Sequence, residues 1–448
     1  MACRKKRAEV EAAYAAEVAF AYSSEAAWAL DAEEDADEEA EAEGEEAGNC
    51  WTCGADNPRI TCYRCKVAKF CNEACQTEFL QIHQGRCANL KIWAAGMEEV
   101  MSNLSKIKAG TRRSQQELDT DICHASMLGR VADIDRIVAA GGRLNGTNSN
   151  ATRPLVWAAQ EGHVRAIGVL VAHGADVNLR NQSDRIALHQ AVQNGHLKAV
   201  AALLEHGTQI DARESIGASP LYFASQFNHP EIMALLLLKG AQINLPNNRG
   251  GTPLSVSCER GNAAAAKLLL EHGAQLDSRT NDGCSALYLA AQENHPEIVA
   301  LLLEHGAKVD LPTKTGTTPL CISAQRGHTA VARLLADHGA QIDLANADGR
   351  NSLFYAAHSN HSEIVALLLG KGAQVDLPDP EGGTPLFISA VQGFTAVVKL
   401  LLQAGADPLR DSGGGLTPLA AAAAMNQTKV VALLQARVAE ILQAGRER

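Results

Sequence analysis

Aromatic residues are scarce in this chain of 448 residues, at 4%. A core built on large rings is thereby excluded, and burial has to be assembled from Ala, Leu, Val and Ile. No run of about 18 apolar residues occurs, which removes a membrane-spanning helix from the candidates. Nor does the chain carry a G-x-S-x-G elbow, a phosphate-cradling P-loop or an H-E-x-x-H pair, so three common catalytic signatures are missing. A basic excess is missing too. The formal charge is −11, residues 31–46 hold eleven acids and no base, and everything outside them sums to zero. A duplex-tracking surface, which displaces counterions with clustered cations, is not expected. The cysteines form no disulfide framework: seven of the twelve fall within residues 50–87, while Cys3, Cys123, Cys258, Cys284 and Cys321 are scattered. With no secretory leader evident, a reducing compartment is expected, cytoplasmic and/or nuclear.

What is present is a unit of 33 residues written over and over. Its signature leucine recurs at Leu155, Leu188, Leu221, Leu254, Leu287, Leu320, Leu353, Leu386 and Leu419 without insertion. The full form G-x-T-P-L stands at Gly250 to Leu254, Gly316 to Leu320, Gly382 to Leu386 and Gly415 to Leu419. Thr and Pro ahead of an apolar run predict a helix start, since the hydroxyl caps free N–H groups and Pro fits the first turn. Gly or Asn seven residues after the leucine, as at Gly162, Asn228, Gly261 and Asn294, predicts the helix end. A second short helix follows, closed by Gly-Ala as at Gly273 and Ala274. Neither helix is long enough to stand alone, so each unit must bury its apolar face on its neighbours. A second period of 66 overlies the first, with NHPEI at Asn228 to Ile232 and again at Asn294 to Ile298, so two alternating unit types have been copied as a pair. His163, His196, His229, His295, His328 and His361 recur with the units. That regularity favours a structural explanation for each over a metal or catalytic role.

The period and signature resemble the ankyrin repeat. The resemblance implies a mainly α solenoid of about ten repeats, each a helix-turn-helix plus a β-hairpin finger, with degenerate terminal caps, over residues 119–448. It also implies that the recurring histidines make local hydrogen bonds at the start of each second helix, and that finger tips and first-helix ends line a concave, partner-binding side. On that mapping Phe227, Arg249, Arg260, Glu293, Arg326 and Arg350 are the expected partner-binding residues. Acids and bases balance along this face, which favours a protein partner over nucleic acid.

The N-terminal part reads differently. Residues 1–49 combine the basic tetrad Arg4-Lys5-Lys6-Arg7, an Ala-rich stretch and the acidic run, which is too charged to bury itself and is expected to be a disordered linker. Then Cys50, Cys53, Cys62, Cys65, Cys71, Cys75, His83 and Cys87 crowd together in the spacing C-x2-C-x8-C-x2-C-x5-C-x3-C-x7-H-x3-C. Eight soft ligands supply two tetrahedral zinc sites, and with every position filled by protein no open site is left for catalytic water. Pairing the ligands sequentially or interleaving them is compatible with the spacing. The spacing, with Trp51, Phe70 and Gln76, resembles the MYND zinc finger. That resemblance implies interleaving, with Cys50, Cys53, Cys71 and Cys75 on one ion and Cys62, Cys65, His83 and Cys87 on the other. It also implies capture of a proline-containing peptide, although Leu80 stands where the family commonly has Trp. Residues 88–118 are expected to be a helical connector and hinge, with Trp93, Met97, Val100, Met101 and Leu104 at helical steps. The expected function is a non-enzymatic adaptor or scaffold, with the array docking one protein and a two-zinc module another. The alternatives are a ubiquitin-ligase-like or nucleic-acid-binding regulator acting through the zinc module.

Overall fold

The computed structural model describes residues 60–61, 69–70, 114–148, 152–412 and 415–446. The eight cysteine and histidine ligand candidates, Leu80, the basic tetrad, the acidic run and the connector helix expected over 88–110 lie outside these residues. The chain divides into two units, residues 1–110 and 111–448. In the first, Ile60–Thr61 pairs antiparallel with Lys69–Phe70, Ile60 opposite Phe70 and Thr61 opposite Lys69.

In the second unit, the described residues form twenty helices in ten successive pairs, from Gln115–Met127 with Val131–Ala139 to Pro418–Ala424 with Thr428–Arg446. Their starts follow from the Thr-Pro and Ser-Pro steps. Thr252 Oγ1 accepts from the Ser255 N–H at 3.2 Å, and Ser219, Ser285, Thr318, Thr384 and Thr417 cap their helices in the same way. Their ends sit where Gly and Asn were expected. Gly162 and Gly261 stop their helices at φ of 80° and 77°, and Asn228 and Asn294 take 56° and 60°. Only Gly, or an Asn whose amide bonds locally, enters that region readily.

Stacking is carried by leucines on both layers. Leu188, Leu221, Leu353 and Leu386 of the first helices are fully buried, and so are Leu203, Leu236, Leu269, Leu302, Leu335, Leu368 and Leu401 of the second. Each such side chain contributes roughly 1.5–3 kcal/mol on burial, which no single pair could collect by itself. A hydrogen-bond ladder adds direction to the stack, in which a carboxylate or amide accepts the backbone N–H 31 residues on: Asp211 from Gln242 at 3.0 Å, Asn244 from Gln275 at 2.9 Å, Asp277 from Lys308 at 3.1 Å. The 66-residue alternation appears as buried Ser257, Ser323 and Ser389, each satisfied by the carbonyl three residues back in its own helix. It appears again as Arg213 and Arg279, which reach the carbonyls of Pro246 and Pro312 in the next unit.

Three sequence expectations change here. The fingers are not strands. Among the described residues of the array no strand occurs, only an isolated bridge between Arg279 and Ser285. Each finger is a tight turn too short for a ladder: the Asn247 N–H donates to Gly251 O at 2.8 Å, and Asn247 Oδ1 accepts from the Arg249 and Gly251 N–H groups at 2.9 and 2.8 Å. The hinge ends earlier than residue 118, because the helix Gln115–Met127 already includes residues 115–118. Ser114 and Glu117 make a capping box there, with the Glu117 carboxylate accepting from the Ser114 N–H at 2.8 Å, and Leu118, Asp119 and Asp121 are buried.

The third change concerns the histidine row, whose hydrogen bonds are not local. Each ring crosses to the preceding pair and binds a carbonyl 36 residues back: His163 to Met127 at 3.0 Å, His196 to Gln160 at 2.9 Å, His229 to Gln193 at 3.3 Å, His295 to Glu259 at 3.2 Å, His328 to Gln292 at 3.1 Å and His361 to Gln325 at 3.2 Å. Those carbonyls are orphans at the end of a first helix. The ring lies so close to the helix-ending glycine that a Cβ on Gly162 would stand 2.6 Å from His196 Nδ1. Where the partner changes, the bond persists. Asn262 Nδ2 reaches Gln226 O at 3.0 Å and Gln427 Nε2 reaches Val391 O at 3.2 Å.

Candidate functional site: the inner face of the array

Successive first helices pack on one another more extensively than successive second helices do. We call the surface between the row of finger tips and the row of first-helix C-terminal ends the trough, and the two rows its banks. Its floor includes Tyr222 and Tyr288, only 9% and 7% exposed, and the half-buried Tyr355. Burial lifts the Tyr222 phenol above its ordinary value and Glu259 adds to this, while Arg260, a hydrogen bond with Asn247, and Arg249 oppose it. One ring thus senses both banks, since Asn247 and Arg249 belong to a finger and Glu259 and Arg260 to a helix end. Burial pushes the Tyr288 phenol to about 12. The Tyr355 hydroxyl accepts from Asn346 Nδ2 at 2.8 Å. All three phenols are structural floor at neutral pH, protonated and polar at the tip.

Phe227 caps the helix Pro220–Gln226 and stays 41% exposed. It stacks on Phe223 with centroids 6.2 Å apart and planes 19° from parallel, and the Arg185 guanidinium covers Phe223 at 4.8 Å. The exposed ring is therefore held by a buried aromatic that is itself clamped. Arg260 and Arg326 end the helices Pro253–Arg260 and Pro319–Arg326, and Glu293 caps Ala286–Gln292 between them. All three are exposed. Among the described residues none of the three makes an ion pair. Glu293 accepts only from its neighbour Gln292, at 2.7 Å. Arg249 is exposed at its finger tip.

Arg350 departs from the expected free anchor. It is only half-exposed, lies 3.4 Å from the buried Asp379 carboxylate, and covers the Phe354 ring at 5.1 Å. Its charge is committed within the fold, so it holds the trough wall rather than offering a contact. The pairs Arg185 with Phe223 and Arg350 with Phe354 were not legible as pairs. In the first the two residues lie 38 positions apart, and only stacking of adjacent units joins them.

Among the described residues no group of three or more His, Cys, Asp or Glu side chains is placed to hold a metal ion, and no helix is long and apolar enough to cross a membrane. Cys123, Cys258 and Cys321 are buried and free, and burial pushes the Cys123 and Cys258 thiols up to about 12, which keeps them inert packing groups.

No curated protein matches the chain. Among solved structures, the human ASB11 ankyrin repeat domain is similar at 28% identity, over 48% of this chain and 96% of that one, with a TM-score of 0.44. The family model for ankyrin repeats in three copies matches residues 122–214, 221–313, 307–379 and 371–443, which is most of the sequence. That family match covers well over half of the chain and coincides with the 33-residue unit, its capped helix pairs and its finger turns: the chain belongs to the ankyrin repeat family.

Proposed function

We propose that this protein is a non-enzymatic adaptor of the cytoplasm or nucleus, in which the trough of the array docks one protein and a two-zinc module at residues 50–87 recruits another. The observation that carries the docking reading is Phe227, an exposed ring on the fourth helix pair that stacks on Phe223, which Arg185 covers in turn. Aromatic and Arg anchors dominate interface energetics because each combines large contact area with little entropy left to lose. Replacing Phe227, Arg260 and Arg326 together by Ala is expected to abolish partner capture in a pull-down from cells. The melting temperature should barely move, since all three side chains face solvent. Retention of every captured partner would defeat the docking reading and leave the array a spacer.

The zinc module rests on the ligand spacing, on the resemblance to the MYND finger, and on the antiparallel pair Ile60–Thr61 with Lys69–Phe70, which brackets Cys62 and Cys65 in the sequence. In this reading Cys50, Cys53, Cys71 and Cys75 hold one ion and Cys62, Cys65, His83 and Cys87 the other, and metal binding and folding of the segment are one equilibrium. A proline-containing peptide is the partner that the resemblance implies for the module. Elemental analysis of the reduced protein should count two zincs per chain, and Cys62→Ser should lose one. A count of one or zero in the unsubstituted chain would overturn the two-site assignment.

A further inference from the structure

The two banks of the trough carry the same order of chemistry across four consecutive repeats. Along the helix ends it runs apolar, cationic, anionic, cationic: Phe227, Arg260, Glu293, Arg326. Along the finger tips it runs Ile216, Arg249, Asp282, Lys314, with Lys314 one residue earlier on its finger than the others. All eight are exposed, Ile216 at 57%. The finger row is held in step by backbone bonds from each finger to the one before, with the Asn248 N–H donating to Ile216 O at 2.9 Å, Asn281 to Arg249 at 2.8 Å and Lys314 to Asp282 at 3.0 Å. Among the described residues none of the six charged members forms an ion pair, so their charges are left for something else. Glu259 is exposed beside Arg260, so the unit of Arg249 and Arg260 keeps one net positive charge, and the net sign of these side chains alternates from unit to unit.

From this register we propose that the trough reads one extended protein segment by its charge order: an apolar block over Phe227 and Ile216, then an acidic, a basic and an acidic block. The inference rests on the docking reading above and specifies its ligand. Packed helices stand about 8–10 Å apart, and an extended chain advances about 3.3 Å per residue, so three residues of ligand meet each repeat. Successive side chains of such a segment point to opposite sides. Every block of three therefore turns at least one residue to each bank, which is what two banks of like sign require. A wrong order places like charges opposite one another in two successive repeats, and selectivity follows from that repulsion more than from attraction.

The probe is a synthetic peptide, Leu-Leu-Gly-Glu-Glu-Gly-Lys-Lys-Gly-Glu-Glu-Gly, labelled and titrated with the full chain by fluorescence anisotropy in both chain directions. The control has the same composition with the four Glu adjacent and the two Lys last. In one direction the matched peptide is expected to bind at least tenfold tighter than the control. R249E with R260E should reverse that preference toward a peptide carrying Lys-Lys in the second block. Equal binding of matched and control peptides, or no response to the charge reversal, would overturn the register. A tighter fit by a helical peptide with the same groups seven residues apart would overturn the extended geometry. Loss of cellular partners by the triple Ala variant alongside either negative result would leave the docking surface standing and remove only the proposed ligand.

Discussion

Deleting residues 418–448 is expected to make the array aggregate and to lower its stability by roughly 3–6 kcal/mol, the re-exposure of a few large aliphatic side chains. The deletion removes the helices Pro418–Ala424 and Thr428–Arg446, whose Ala421, Ala422, Val430 and Leu434 are buried. What they cover belongs to the preceding pair, where Leu386, Val397, Val398 and Leu401 are now fully buried. The Gln427 to Val391 bond that ends the preceding first helix goes as well. Removing only residues 437–448 should do little, because beyond Leu434 no described residue of the last helix is buried. Ile441 and Leu442 are 39% and 57% exposed, and the Arg437–Glu440 pair is a surface pair of small value. Light scattering and urea unfolding of the two truncations test this. A monomeric, equally stable 1–417 chain would show that the terminal pair is not a cap.

Acid is expected to weaken the array through His189. This side chain is fully buried, and burial drives its imidazole down to about 4, with Arg185 acting in the same sense against the backbone bonds and Glu214. The neutral ring is fixed from both sides. Nδ1 accepts from the Ile186 N–H at 3.2 Å and Nε2 lies 3.0 Å from the Ala212 carbonyl, so a second proton would face a donor. Ile186, like Arg153 one unit earlier, starts a first helix with no capping oxygen of its own, and here the imidazole takes that place. A depressed histidine leaves the unfolded chain binding the extra proton. Its stabilisation is complete above about pH 6.5 and is lost as pH falls toward about 4, reaching about 2.5 kcal/mol at pH 4.5. Urea unfolding at pH 7.5 and 4.5 should therefore show the unsubstituted chain losing about that much more than His189→Gln. Identical pH dependence in the two would mean that the ring is not held neutral by the fold.

Much of the fold was legible because a 33-residue spacing dictates local events that need no partner. Thr-Pro starts, Gly and Asn stops and inward leucines all act within one unit, and each was found where the spacing put it. The hinge was misplaced because its charged composition outweighed a four-residue signal, Ser114 to Glu117, that sets a helix start by two hydrogen bonds. The expectation of β-hairpins failed for a reason of size, since a finger closed by Asn247 or Asp379 has no room for a ladder.

The site divides along the same line. Exposure of Phe227, Arg249, Arg260, Glu293 and Arg326 followed from their place in the unit, since residues at helix ends and finger tips have nowhere to be buried. Where the histidines bond, what holds Phe227, and that Arg350 is spent on Asp379 and Phe354 were decided by stacking. The histidine bonds, Arg185 over Phe223 and Arg350 with Asp379 join residues in adjacent repeats, and their geometry is set by how far one unit rotates and shifts on the next. A 33-residue alphabet therefore determines each unit, its caps, its inward face and the order of its surface charges. The tertiary structure alone decides which of those side chains meet, because the stacking offset is a sum over all the leucines, ladders and rings between units and is written at no single position.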